Sequence, residues 1–239
     1  MSPAVVTHGR PRPLALLDID GTLLDTRGAG RAAFIRALRI VFGWNDEIAY
    51  INFAGATDLD VLRRVCERHG ATPDAEAVER FFRQLAIELE AGLTARPPVV
   101  FPGVREFLRA LTADPDILVG LVTGNTGACA RIKLRHAGLH GRFALGAFGH
   151  EHADRAEIAR LALRRAERRA RGRILHPVVL IGDTPADLAA ARAIGARALA
   201  VATGRHDAAA LRAVGADLVV ETLGDPAALR FLRAVEAAG

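Results

Sequence analysis

The sequence predicts an α/β fold: a parallel sheet with helices on both faces and a small helical segment inserted after the first strand. Three observations point there. Short continuous apolar runs alternate with helical stretches along most of the chain, the pattern of a sheet buried on both sides. Between residues 27 and 100 that alternation stops, and apolar residues recur only at helical spacing. Finally, three polar motifs each follow an apolar run: Asp18-Ile19-Asp20-Gly21-Thr22, Thr123-Gly124-Asn125 and Gly182-Asp183-Thr184-Pro185-Ala186-Asp187. Open parallel sheets bind ligands at the carboxyl ends of their strands, where all three motifs fall.

Taken in order, residues 1–13 carry Pro and Arg but no apolar signal region, and read as a short mobile tail. Strands are expected at 14–19, 117–122, 143–148, 178–181, 198–201 and 217–220. Helices are expected at 104–111, 127–137, 156–171, 185–194 and 208–214. Within the insert, three helical faces are marked by Phe34, Leu38 and Val41, by Leu59, Leu62 and Cys66, and by Val78, Phe82, Leu85 and Leu89. The chain returns to the sheet through Pro97-Pro98 and Pro102-Gly103. The core is then 14–26 with 101–239, and the insert, 27–100, can hang over the strand ends and close on a substrate.

Side chains alternate along a strand, so Asp18 and Asp20 point the same way. Such a pair supplies a nucleophile, a metal ligand and a proton donor in one small space. Gly21 permits the sharp exit, and Thr22 can bond the freed backbone. Asp183 should face Asp18 across adjacent strand ends, with Asp187 one helical turn further on. Hard oxygen donors of this kind suit Mg²⁺, although both residues can also cap a helix. The hydroxyl of Thr123 and the backbone N–H groups of Gly124 and Asn125 form an anion site if they open a helix; alternatively Thr123 or Asn125 is a simple N-cap.

At 239 residues and 51% apolar, the chain suits one large domain, or a main domain with an insert, and no stretch has the length to cross a membrane. The formal charge of +5 comes almost wholly from arginine spread along the chain. Its densest run, 164–173, reads as the solvated face and end of a helix. Few aromatics accompany it, so nucleic acid is not the expected partner. Cys66 and Cys129 lack metal-type spacing, which fits a reducing, cytoplasmic setting. Gly28-Ala29-Gly30-Arg31-Ala32-Ala33 matches a dinucleotide fingerprint on paper but begins several residues beyond the strand, and reads as a hinge. His150-Glu151-His152 has no further ligands at metal spacing and reads as a loop.

With its motifs in this order, the chain resembles the haloacid dehalogenase superfamily, in the phosphatase branch that carries a helical cap after the first motif; it is similar to phosphoglycolate phosphatase-like proteins. The resemblance covers nearly everything after the tail. It implies a Rossmann-like core, and Mg²⁺-dependent hydrolysis of small phosphate monoesters through an aspartyl-phosphate. By that resemblance Asp18 is the nucleophile and Asp20 the general acid/base. Asp18, the Asp20 backbone carbonyl and Asp183 would hold the metal, with Asp187 as a further ligand or just behind. Thr123, Gly124 and Asn125 would hold the phosphoryl group. The family usually adds a lysine before the last strand, to balance the nucleophile and the transferring phosphoryl group. Lys133, the one lysine of the chain, lies too early for this, while Arg155 has the right position and can grip phosphate through two N–H groups.

Other activities of the superfamily fit less well. Dehalogenases and phosphonate-cleaving relatives lack the acid at position 20, and the insert has no lysine for the Schiff base of phosphonate cleavage. Sugar phosphomutases typically carry a histidine just after the first motif, where this chain reads Asp25-Thr26-Arg27-Gly28. A phosphomutase, and a phosphate- or nucleic-acid-binding relative without turnover, stay open as alternatives. The cap would set the substrate, expected to be a small phosphorylated metabolite. Arg27 and Arg31 could pair with a second anionic group, as in phosphoglycolate, and Thr57 and Asp58 either cap a helix or touch the substrate. Monomer and homodimer are both compatible with the sequence.

Overall fold

A computed structural model describes residues 11–234. The elements run β1 (Arg12–Leu17), β2 (Leu24–Asp25), α1 (Ala29–Phe42), α2 (Asp58–Arg68), α3 (Ala75–Ala95), β3 (Val99–Val100), α4 (Val104–Thr112) and β4 (Leu118–Thr123). They continue α5 (Gly127–His136), β5 (Leu145–Phe148), α6 (Arg155–Ala170), β6 (Leu175–Gly182), α7 (Pro185–Ala193), β7 (Arg197–Val201), α8 (Ala208–Ala213), β8 (Leu218–Val220) and α9 (Pro226–Arg233). Six strands form one parallel sheet in the order β5-β4-β1-β6-β7-β8. The order reverses beside β1, which opens a crevice at the carboxyl ends of β1 and β6. β2 and β3 pair antiparallel at the base of the helical insert.

The strand period sorts β1 between two apolar layers. Ala15 and Leu17, with Ile19 just past the strand, pack toward α4, α5 and α9, while Leu14 and Leu16 face α6, α7 and α8. Each of these buried leucines contributes roughly 1.5–3 kcal/mol of hydrophobic burial, which makes the central strand a rigid base for the loop after it. A third apolar cluster joins α1, α2 and α3 around Phe34 and Phe81, whose ring centroids lie 4.8 Å apart, and reaches Cys129 of α5.

Several expectations need correction. Residues 1–10 of the expected tail lie outside the described residues, and Arg12 and Pro13 already belong to β1. β1 stops at Leu17, because Asp18 turns out of the ladder while its N–H still bonds Ile181 O at 3.0 Å. In α3 the buried face is Ala77, Phe81, Leu85, Leu89 and Leu93, with Val78 and Phe82 on its flank. Apolar residues stand at both 77–78 and 81–82, so spacing alone does not choose the face; contact with Phe34 does. α9 has no counterpart among the expected helices, although Asp225 as N-cap and Pro226 at the first helical position start it in the usual way. Among the described residues no helix is long and apolar enough to cross a membrane.

Candidate active site

The loops at the ends of β1, β4 and β6 converge on one buried polar cluster. Asp18, Asp183 and Asp187 each bring a carboxylate oxygen within 4.8 Å of the other two. Asp18 is 5% exposed and Asp183 4%. Burial pushes Asp18 up to about 6, with Arg155 pulling it down and Asp187 and Asp20 pushing it further up. Asp183 is pushed up to about 8 by burial and by the neighbouring carboxylates of Asp187 and Asp18. A group of hard oxygen donors that raise one another in this way is suited to a divalent cation.

The backbone is shaped around Asp183. A Cβ on Gly21 would lie 2.2 Å from its Oδ2, and one on Gly204 only 1.8 Å away. Gly21 also takes φ +80°, which side-chain-bearing residues rarely adopt. The two glycines thus leave a cradle at Oδ2, while Oδ1 accepts the Thr22 hydroxyl at 2.9 Å. Thr22 therefore serves the neighbouring strand's carboxylate, where the sequence suggested it would bond the freed backbone. Thr203 secures the turn by donating to Gly21 O at 2.6 Å.

Asp187 caps a helix, one of the readings the sequence left open, and also holds Arg155. It completes a capping box with Thr184 at the start of α7, its Oδ2 accepting from Thr184 N at 3.1 Å and Thr184 Oγ1 at 2.7 Å. Its Oδ1 accepts from Arg155, at 2.9 Å from Nε and 2.6 Å from an η nitrogen. With both oxygens engaged, Asp187 stands behind Asp18 and Asp183 and anchors Arg155. The same η nitrogen lies 2.9 Å from Asp18 Oδ2. Arg155 is 6% exposed. Burial works against its charge, but Asp18 and Asp187 more than offset it and hold the guanidinium firmly protonated. Asp154 caps α6 one residue earlier, which fixes where Arg155 leaves the helix.

Thr123 ends β4 and is fully buried. The N-cap of α5 is Thr126, neither Thr123 nor Asn125. Asn125 instead links the motifs, donating from Nδ2 to Asp20 Oδ2 at 2.7 Å and to Thr123 Oγ1 at 2.8 Å. Lys133, too early in the sequence for the expected lysine, is nonetheless in the site. Its Nζ reaches Asp20 Oδ2 at 2.6 Å, Asp20 Oδ1 at 2.8 Å and Asn125 Oδ1 at 2.5 Å. Burial opposes its charge, yet the Asp20 carboxylate beside it keeps the ammonium above the ordinary lysine value.

The helical insert lies directly on these groups. Asp58 N donates to Gly124 O at 2.7 Å and Leu59 N to Gly149 O at 3.0 Å. Only glycine fits at 124, where a Cβ would stand 2.0 Å from Ala56 O. Thr57 caps α2 and donates to Ala153 O at 2.9 Å, a joint between insert and core. Asp58 accepts from Thr126 N at 2.7 Å and is pushed up to about 6, chiefly by burial. Between insert and core lies a cavity of about 560 Å³. Its lining includes the polar side chains of Asp18, Asp20, Thr123, Lys133, Arg155 and Asp183 and the apolar ones of Phe34, Phe53, Leu85 and Leu89. Gly124, Asn125 and Asp58 also line it.

The two insert arginines differ in placement. Arg27 does not line the cavity; its guanidinium donates to Pro97 O and ties the two passages of the chain at the base of the insert. Arg31 does line it, but donates to Ile48 O at 2.8 Å and Ile51 O at 2.7 Å and lies 4.6 Å over the Phe53 ring. Each guanidinium thus spends part of its five N–H donors on backbone carbonyls of the insert.

Fold and cluster together define the class. A sequence model described as "Hydrolase: haloacid dehalogenase-like hydrolase" matches residues 13–195, and the chain belongs to this family of enzymes. It is 32% identical over 220 residues to "Probable phosphatase IndB" of Dickeya dadantii, covering 90% of this chain and 91% of that one. Over 215 residues it is 28% identical to the phosphoglycolate phosphatase of Synechococcus elongatus, with 88% and 93% covered. Among solved structures, CbbY from Rhodobacter sphaeroides in complex with phosphate shares the fold at TM-score 0.68 and 21% identity, over 90% of this chain and 96% of that one.

Proposed function

We propose that this chain hydrolyses small phosphate monoesters through an aspartyl-phosphate on Asp18. The observation that carries this is the placement of Asp18, held by Arg155 on one side, with Asp183 beside it and Asp20 facing the same cavity. Asp18 Oδ attacks phosphorus, and the ester P–O bond breaks as the departing alcohol takes a proton from the Asp20 carboxyl. Asp20 then accepts a proton from water, whose oxygen attacks phosphorus; the bond to Asp18 breaks and phosphate leaves. Arg155 balances negative charge on Asp18 and on the phosphoryl oxygens, while Thr123 and the N–H groups after β4 orient them. The insert, docked through Thr57 and Asp58, keeps bulk water from the intermediate.

The chain's donors fit a divalent cation: Asp18 and Asp183 would hold it, with the Asp20 carbonyl, and Asp187 behind them. When bound, Mg²⁺ would supply positive charge to the phosphoryl oxygens and the attacking carboxylate. Removal of metal by a strong chelator is expected to abolish phosphate release, and added Mg²⁺ to restore it. Turnover that survives exhaustive chelation would contradict this part of the reading.

The names of the two phosphatase relatives support the same activity, and that of the Synechococcus protein puts phosphoglycolate among the first substrates to test. The apolar side chains in the cavity lining favour a leaving group with some carbon skeleton. Purified protein should be assayed with Mg²⁺ against a panel of phosphorylated metabolites, phosphoglycolate and hexose phosphates included. Release of free phosphate is the expected result. Conversion of one hexose phosphate into another without free phosphate would replace this reading with a mutase.

A further inference from the structure

Lys133, the only lysine in the chain, is buried beside the acid/base carboxyl, and the proposed chemistry gives it no task. The role inferred for it rests on the hydrolytic reading of the site. An ammonium has three N–H groups. Here Asp20 Oδ1, Asp20 Oδ2 and Asn125 Oδ1 take all three, so none is left to grip a substrate. Among the described residues, the side-chain bonds to the Asp20 carboxylate come from Lys133 and Asn125. Asn125 is itself fixed through Thr123 at the end of β4. Asp20 sits on a loop, with 40% of its side chain exposed, so its own strand does not set the direction of its carboxyl. That direction comes from α5 and β4. Because the Asp20 side chain is 40% exposed, an apolar residue at 133 would leave its carboxylate in water, and stability alone does not account for the lysine.

We propose that Lys133 is a positioning residue for catalysis that acts only through Asp20. With Asn125 it holds the Asp20 carboxyl at the cavity that Asp18 also lines, where the ester oxygen departs and water later enters. With its two oxygens held on one ammonium, the Asp20 side chain cannot swing toward Asp18 or Arg155, so the group that gives and then takes the proton keeps its place at the cavity.

The test is a double-mutant cycle with two substrates, an alkyl phosphate and p-nitrophenyl phosphate, using the full chain with Mg²⁺. Lys133→Met is expected to lower kcat on the alkyl phosphate on the order of a hundredfold, the cost of a misplaced general acid, with KM changed by less than about threefold. On p-nitrophenyl phosphate, whose leaving group needs little protonation, the loss should be no more than about tenfold. In an Asp20→Asn background, Lys133→Met should cost nothing further. Equal losses on both substrates, a rise in KM at constant kcat, or a full further loss in the Asp20→Asn background would each overturn the proposal. If Lys133→Met melts below the assay temperature, Lys133→Gln, which keeps a donor, is put through the same cycle with the same expectations and smaller losses. An inactive wild type would overturn the hydrolytic reading itself; an active wild type with an additive cycle overturns the role of Lys133 alone.

Discussion

Asp18→Asn is expected to lower kcat by at least about a thousandfold on every phosphate monoester the protein accepts, because the amide cannot form the covalent intermediate. The fold should survive. Asn is isosteric, and its carbonyl oxygen can still accept from Arg155, which lies 2.9 Å from Asp18 Oδ2. Relief of a buried carboxylate, already pushed up to about 6 mainly by burial, works in favour of stability. The expected signature is therefore a folded protein with an unchanged or higher melting temperature and almost no phosphate release. A variant that keeps more than about a tenth of wild-type kcat would leave no room for a nucleophile at this position.

Arg155→Met has a different signature, loss of both activity and stability. The guanidinium bridges Asp18 and Asp187 at 2.9 and 2.6 Å, and all three side chains are buried. Removing one partner of such a cluster leaves carboxylates facing each other without a counter-charge, at a cost of about 3–5 kcal/mol. On the proposed mechanism the attacking carboxylate and the phosphoryl oxygens also lose their fixed cation, worth about a hundredfold to a thousandfold in kcat. Arg155→Lys should recover part of both, because a single ammonium cannot span Asp18 and Asp187 as the planar fork does. Calorimetric melting with steady-state kinetics measures the two losses separately. A Met variant as stable as wild type would show that the bridge is not formed in solution.

The sheet was legible because a strand buried on both faces leaves a continuous apolar run, and β1, β4, β6 and β7 all have one. Asp18, Asp20, Thr123 and Asp183 were legible for a related reason: each closely follows such a run, so topology alone carries them to one edge of the sheet. Arg155 was found by its place in the motif order, and its contacts with Asp18 and Asp187 put it in the same cluster. Lys133 was missed for want of a geometric signal. It stands two turns into α5, away from the strand ends, yet Cys129, Ala130 and Lys133 share the buried face of that helix, and a long side chain reaches back to Asp20. The insert was the least legible region. Sequence shows that Arg27 and Arg31 are cations, but not that Arg27 would donate to the Pro97 carbonyl and Arg31 to those of Ile48 and Ile51. In α3 two adjacent apolar stripes compete, and only tertiary packing decides between them.

The proposed covalent bond between Asp18 and phosphorus can be trapped. An Asp20→Asn variant, slowed in losing phosphate to water, should be mixed with a phosphate monoester and Mg²⁺, quenched in acid within the first turnover, digested and sequenced by mass spectrometry. A single phosphoryl group on residue 18 is the predicted result. Phosphate on any other side chain, or brisk release of product with no phosphorylated peptide at any time point, would contradict it.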